Sequence, residues 1–474
     1  MTGDAVTGEA VTGEAATAAT HSVPLDGRRS DDNRSGVPTG MVVLCVAALS
    51  ICSLILIVTS ASLVGDGSYY LLRAVQTRGP FPLPGRLVSN ALREGPMLIG
   101  LAAGVTNTQV LTVLEGIGFV LLPAVAWSLA LVAARRARVQ FTLVAVACGL
   151  CFASMMLFSV SELTLTLPLV ALASVLVTRP DPWSRADAVM VVVVTGLLVL
   201  SHESVLPAVV VLMVMAVLRA RARLSVTDAR VSAAVAVVSG VATAVALWTL
   251  VYRPNSNSTD FLTHVEHGQP RSILLLMTGG ALLLGWAVLH GRGGGTTWIG
   301  WYLAVPGAVL TAFGIRSAIT GGPTSAYESR GFCVIVIVVL QLLLLVGWAR
   351  LRRPDSSDGS DGSDIRRSLP SGAAWGAAAF LVVLMLIPAV GALRWSAVVG
   401  AFRTTITTHS GTVPESRVES RLAGGYLWPW TNTTMSVVLR SSPGDAVVLN
   451  TIADNPIPIH RAQQQIAPDY TWGR

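Results

Sequence analysis

Residues 41–70 read MVVLCVAALSICSLILIVTSASLV-GDGSYY. The run 41–64 is apolar throughout, and about 20 such residues in a helix span the ~30 Å hydrocarbon layer of a bilayer. The run ends on Gly65-Asp66-Gly67-Ser68-Tyr69-Tyr70. An ionisable group at the end of a membrane span is a functional candidate by default. The glycines on either side let the chain turn sharply and leave the Asp66 carboxylate accessible. A solvated aspartate in a turn is the competing reading of the same residues.

The rest of the chain repeats the pattern of this first run. Of 474 residues, 52% are hydrophobic and only 12% charged, and mean hydropathy is +0.64. That balance belongs to a polytopic, all-α membrane protein and excludes a soluble enzyme with a water-exposed surface. All basic residues are arginine, and the formal net charge is +7. We assign the basic balance to membrane topology rather than to nucleic-acid binding. The Ala/Val/Gly-rich, lysine-free composition points to a GC-rich bacterial genome such as an actinobacterial one. The five cysteines all lie in apolar runs. Cys148-Gly149-Leu150-Cys151 has redox or metal spacing, but lies inside an expected membrane helix without a second pair, so small-residue packing explains it better.

Residues 1–39 open with a repeat of small and acidic residues, cannot bury a core, and are expected to form a disordered cytoplasmic tail carrying Arg28, Arg29 and Arg34. The polar length ahead of the first span argues against a cleaved secretory signal. Residues 40–395 are expected to form a bundle of about 11 transmembrane helices. The expected spans are 41–64, 109–134, 140–158, 162–178, 187–202, 204–218, 230–251, 272–290, 296–314, 331–349 and 373–394. Arginine clusters at 135–138, 179–185, 219–223 and 350–367 each follow an even-numbered span. The positive-inside rule therefore places the N-terminus in the cytoplasm and the region 396–474 outside a bacterial plasma membrane. One loop breaks the rule: 65–96, the first outer loop, carries Arg73, Arg78, Arg86 and Arg93, which implies that these arginines have a task there.

Within that loop the segment 79–85 (GPFPLPG) breaks regular structure, and 68–77 and 86–94 are expected to be short helices on the membrane surface. Residues 97–107 are apolar but too short to cross, and are expected to be re-entrant or interfacial. Residues 354–364 (PDSSDGSDGSD) form a flexible linker. In 396–474, a small extracytoplasmic region, 435–439 and 445–450 are expected to be two strands.

Counting about 20 residues back from each arginine cluster reaches the level of Asp66 on every span. The residues met there are Glu115, Glu162, His202-Glu203 and Tyr327-Glu328-Ser329-Arg330. The expected site is Asp66 as the catalytic group, with Tyr70, Glu162, His202, Glu203, Tyr327 and Arg330 on the substrate. Each has a bland alternative: span-end markers for the glutamates, a polar turn for His202-Glu203, a snorkelling anchor for Arg330. His264-Val265-Glu266-His267 offers two imidazoles without a third ligand, and no metal site is expected. Tyr426, Trp428 and Trp430 suit either a sugar platform or an interfacial belt.

A carboxylate beside a lipid head group can take the proton of an attacking hydroxyl, while arginine and histidine hold a phosphate leaving group. With Gly65-Asp66-Gly67 directly after the first span and a long first outer loop, the chain resembles the GT-C superfamily of polytopic glycosyltransferases. That resemblance implies a polyprenyl-phosphate sugar as donor, no other cofactor, a glycan or lipid acceptor in the cell envelope, and Asp66 as base or acceptor-positioning carboxylate. The paired acidic residues of that family are not present, since Gly67 follows Asp66, which counts against a metal-dependent version. A transporter or lipid flippase would place charges at the bilayer midplane and show repeated halves, and neither is visible. A non-catalytic scaffold of envelope assembly remains the other alternative.

Overall fold

The computed structural model describes residues 36–81, 84–155, 162–222, 224–252, 308, 326–351, 371–418, 431–442, 444–449 and 470–472. The expected spans 272–290 and 296–314, the His264 and Trp428 clusters, the linker 354–364 and the N-terminal tail all lie outside these residues.

The described chain is mostly helical. In order it forms α1 (Thr39–Val58), α2 (Gly67–Thr77), α3 (Leu87–Ala102), α4 (Thr108–Gly116), α5 (Leu122–Ala134), α6 (Arg138–Met155), α7 (Leu163–Val177), α8 (Arg185–Leu198), α9 (Leu206–Ala222) and α10 (Val226–Tyr252). Then come α11 (Ala326–Leu351), α12 (Ser371–Leu384), α13 (Leu386–Thr408) and α14 (Asn432–Leu439). Among the described residues, six helical stretches are long and apolar enough to cross a membrane: 39–58, 108–134, 138–155, 203–222, 226–251 and 372–408, with shorter apolar helices at 163–177 and 333–349.

Helix α7 is the centre of the bundle, with every residue from Leu163 to Val177 buried. Around it, α1, α8, α10 and α13 point large apolar side chains outward, among them Ile51, Leu54, Val193, Val237 and Leu393. An apolar exterior on this scale is unfavourable in water and favourable in hydrocarbon. The protein is therefore embedded in a membrane.

Helices α4 and α5 join through a π-helical turn, Ile117–Leu121, just before Pro123. Proline has no N–H to give to the ladder, which accounts for the register change there. The turn also holds Gly118, where an added Cβ would lie 1.6 Å from the Arg93 carbonyl oxygen. Only a bare backbone lets α3 come this close.

Three expectations need correction. Residues 97–107, expected to be re-entrant or interfacial, continue α3 through Ala102 and turn back into α4, burying Met97 and Leu101 while Ile99 points outward. Helix α2 is not a free surface helix, because α14 covers it and most of its residues are buried. Residues 435–439 are helical rather than extended. All of α14 from Thr434 to Leu439 is buried, so no polar face reveals a period, and packing overrides β-branched preference. The strand 447–449 pairs in parallel with Thr412–Pro414, in the register Val413 to Val448. The last expected span does not stop at 394, because α13 runs on to Thr408.

Candidate functional site

Helix α7 begins after its N-cap Glu162 and ends at its C-cap Thr178, just before Arg179, so Glu162 and Arg179 mark opposite ends of a helix about 22 Å long at 1.5 Å per residue. The site is at the Glu162 end. Gly65 takes φ of 60°, a conformation glycine reaches freely, and sets Asp66 at the N-cap of α2. The Asp66 carboxylate does not cap the helix. It is only partly buried, and its Oδ1 atom has no hydrogen-bond partner among the described residues.

The position of α2 is set from behind. Thr434 on α14 donates its hydroxyl to the Thr431 carbonyl at 2.7 Å, so the 2.7 Å bond to Ser68 has Ser68 as donor. On the next turn Tyr70 donates to Glu162 Oε1 at 3.2 Å. The start of α3 is stitched to the α8–α9 link, where the Val88 amide donates to Leu200 and the Ser89 hydroxyl donates to Ser201 at 2.6 Å. That seam brings Arg86 against His202 and Glu203.

Arg86 is fully engaged. It grips both carboxylate oxygens of Glu203, one through Nε at 3.1 Å and the other through Nη2, and its Nη1 reaches Glu162 Oε2 at 3.3 Å. The same Oε2 lies 3.8 Å from His202 Nε2 and 4.0 Å from Arg93 Nη1. Glu162 is therefore a hub with no face left for a substrate. The His202 Nδ1 atom accepts the Ser204 amide at 3.0 Å, which puts the ring proton on Nε2, and Nε2 is buried with no hydrogen-bond partner. Arg93 stacks its guanidinium 3.7 Å from the Phe119 ring centre.

These surroundings drive the carboxylates apart. Burial raises Asp66 to about 6 against the pull of Arg330, Arg93 and Arg86. Burial also acts on Glu162, but Arg86, Arg93 and His202 outweigh it and hold that carboxyl far below the usual range. Burial, with Arg86 adding to it, lowers His202 to about 3, so the imidazole is uncharged at neutral pH. Burial beside Glu162 and Asp66 raises the Tyr70 hydroxyl.

A narrow crevice of about 10 Å³, room for about one water, lies against Ser201, His202 and Glu203. Its other walls are apolar: Leu198 and Leu200 from the α8 end, Val205 and Val209 from the α9 side, Val245 and Ala246 from α10. Among the described residues no group of three His, Cys, Asp or Glu side chains is placed to hold a metal ion.

No known family, curated protein or solved structure matches this chain.

The structure gathers Asp66, Tyr70, Glu162, His202 and Glu203 into one cluster, and the charge of Arg330 reaches both Asp66 and His202. Tyr327 lies on the same helix, α11, one turn before Arg330. Glu115 lies in α4, fully buried with both oxygens unpartnered, within the field of Arg93 and Glu94 and not among the bonds of the Glu162 hub. Sequence reasoning did not assign Arg86 and Arg93 to the site. Their signal was there: they are two of the four arginines that violate the positive-inside pattern. A third violator, Arg78, has a structural task, donating to the Leu101 carbonyl at 2.9 Å and to the Tyr470 hydroxyl at 2.6 Å.

Proposed function

We propose that the protein is an integral membrane glycosyltransferase that moves a sugar from a polyprenyl-phosphate donor to a cell-envelope acceptor. In this reading the chain has about 11 spans in a bacterial plasma membrane, with its N-terminus in the cytoplasm and its site and C-terminal region on the outer face. The observation that carries the reading is the separation of the carboxylates. Glu162 and Glu203 are consumed by arginine, while Asp66 keeps a free oxygen and a pKa of about 6. Titratable groups pushed apart in this way are how one site divides its acid and base roles.

Asp66 then takes the proton from the acceptor hydroxyl as its oxygen attacks the anomeric carbon. The bond from that carbon to the phosphate oxygen breaks, and the polyprenyl phosphate leaves with the bonding pair. Neutral His202 can donate through Nε2 to an oxygen of the ligand. Asp66 serves as base, Tyr70 and Arg330 line the approach to it, and Glu162 and Glu203 position the arginines rather than touch substrate.

Native mass spectrometry of the protein released gently from its own membranes tests this reading, in wild type and in Arg330→Ala. A co-purifying polyprenyl-phosphate sugar, lost or weakened in the variant, is the expected result. Bulk phospholipids alone, unchanged on adding a panel of polyprenyl-phosphate sugars, would overturn it.

A further inference from the structure

Arg86 and Arg93 are both buried at the same end of the bundle, yet their surroundings differ. Arg86 spends its donors on Glu162 and Glu203. Arg93 is completely buried, and none of its three guanidinium nitrogens makes a hydrogen bond among the described residues. Its nearest carboxylate oxygen, Glu162 Oε2 at 4.0 Å, is already shared with Arg86 and His202. An unpaired donor in a dry interior is costly, and an unpaired cation more so. Packing has fixed this one rather than released it to solvent: Phe119 carries its flat face at 3.7 Å, the Tyr70 ring lies 5.8 Å away, and Gly118 admits its backbone. A guanidinium held flat, with all its donors free, presents the fork that matches the oxygens of a phosphate.

We propose that Arg93 is the anion-holding residue of this site and that its ligand is a phosphate ester. The inference deepens the transferase reading by naming the group that grips the head of the donor. Arg86 does not serve, because its donors are committed. His202 Nε2–H, buried and unpartnered against the same Glu162 oxygen, is a neutral donor available to the same ligand.

The test uses the full-length protein purified in detergent and follows its thermal midpoint with inorganic phosphate, geranyl phosphate or geraniol. Geranyl phosphate is expected to raise the midpoint saturably, and geraniol is not. Arg93→Lys keeps the charge but loses the fork, and should weaken the apparent affinity by about tenfold or more. Arg93→Gln should abolish the shift. If the glutamine variant does not fold, the lysine variant alone decides. A midpoint raised equally by inorganic phosphate identifies a free phosphate as the ligand, and a response to the ester alone identifies a lipid head group. Wild-type affinity in Arg93→Lys, an equal response to geraniol, or no response to either phosphate would overturn the inference. Binding that depends on Arg93 without sugar transfer would remove the transferase reading and leave the anion site standing.

Discussion

The two ends of the bundle use the same residue types to opposite effect. At the Arg179 end, Arg219 is completely buried and sends Nη1 to the Val177 carbonyl at 3.0 Å and to the Arg179 carbonyl, and Nη2 to the Asp181 carbonyl at 2.8 Å. It also pairs with Asp228 at 3.4 Å and stacks 4.2 Å from Trp183. Arg179 bonds Asp187, which completes a capping box with Ser184 at the start of α8. Loops are tied there, and the terminal guanidinium nitrogens are spent on tying them, although Nε of each arginine makes no hydrogen bond among the described residues. At the Glu162 end Arg86 ties elements together in the same way, but Arg93, Asp66 Oδ1 and His202 Nε2 keep unused capacity in a buried setting. A buried polar group that is satisfied holds a fold together, whereas a cluster of unsatisfied ones marks where something else binds.

Removing an arginine that ties elements together at either end should separate stability from activity. Arg219→Met takes the guanidinium from Asp228 and Arg86→Met takes it from Glu203 and from one side of Glu162, each costing about 3–5 kcal/mol of stability because a buried charge loses an ion-pair partner. Thermal unfolding measures both losses. Among molecules that stay folded, Arg219→Met should transfer sugar at the wild-type rate and Arg86→Met should not. Equal loss of transfer in both would erase the distinction between the ends.

A smaller effect sharpens the same contrast. Thr434→Val removes the acceptor of the Ser68 hydroxyl, two residues from Asp66, and should cost about 1–3 kcal/mol. Transfer should fall with it, since α2 then loses its anchor to α14. Full activity in a destabilised Thr434→Val protein would show that Asp66 needs no such support.

The pH profile gives the smallest change. A base that must be ionised loses rate as it protonates, so transfer should fall by about tenfold per pH unit below about 6. For stability the sign is opposite. The folded pKa lies above the ordinary 3.8, so the folded state binds the Asp66 proton more tightly, and the stability this adds fades as pH rises from about 4 through about 6. Asp66→Asn should remove both trends. A rate that is flat between pH 5 and pH 7 in wild type would remove Asp66 as the base.

Much of this was legible in the sequence because a bilayer imposes a ruler. Hydrophobic run length located α1 and the helices from α4 to α10, and counting back from the arginine clusters brought Glu162, His202 and Glu203 to the level of Asp66. The ruler fails where segments do not cross. Residues 97–101 pack Met97 and Leu101 inward within a helix too short to cross, and 434–439 is buried throughout, which hides its period. The ruler also says nothing about partners. That Arg86 is consumed and Arg93 left open depends on a seam between Ser89 and Ser201, residues more than a hundred positions apart.

The most direct measurement is sugar transfer by the purified protein in liposomes, supplied with labelled polyprenyl-phosphate sugars, comparing wild type with Asp66→Asn. Wild type should transfer one of the sugars, and the variant should be slower by about 10²–10⁴-fold with an unchanged unfolding midpoint. Transfer by Asp66→Asn at the wild-type rate, or no transfer by wild type from any donor, would contradict the assignment of Asp66 as the reacting carboxylate.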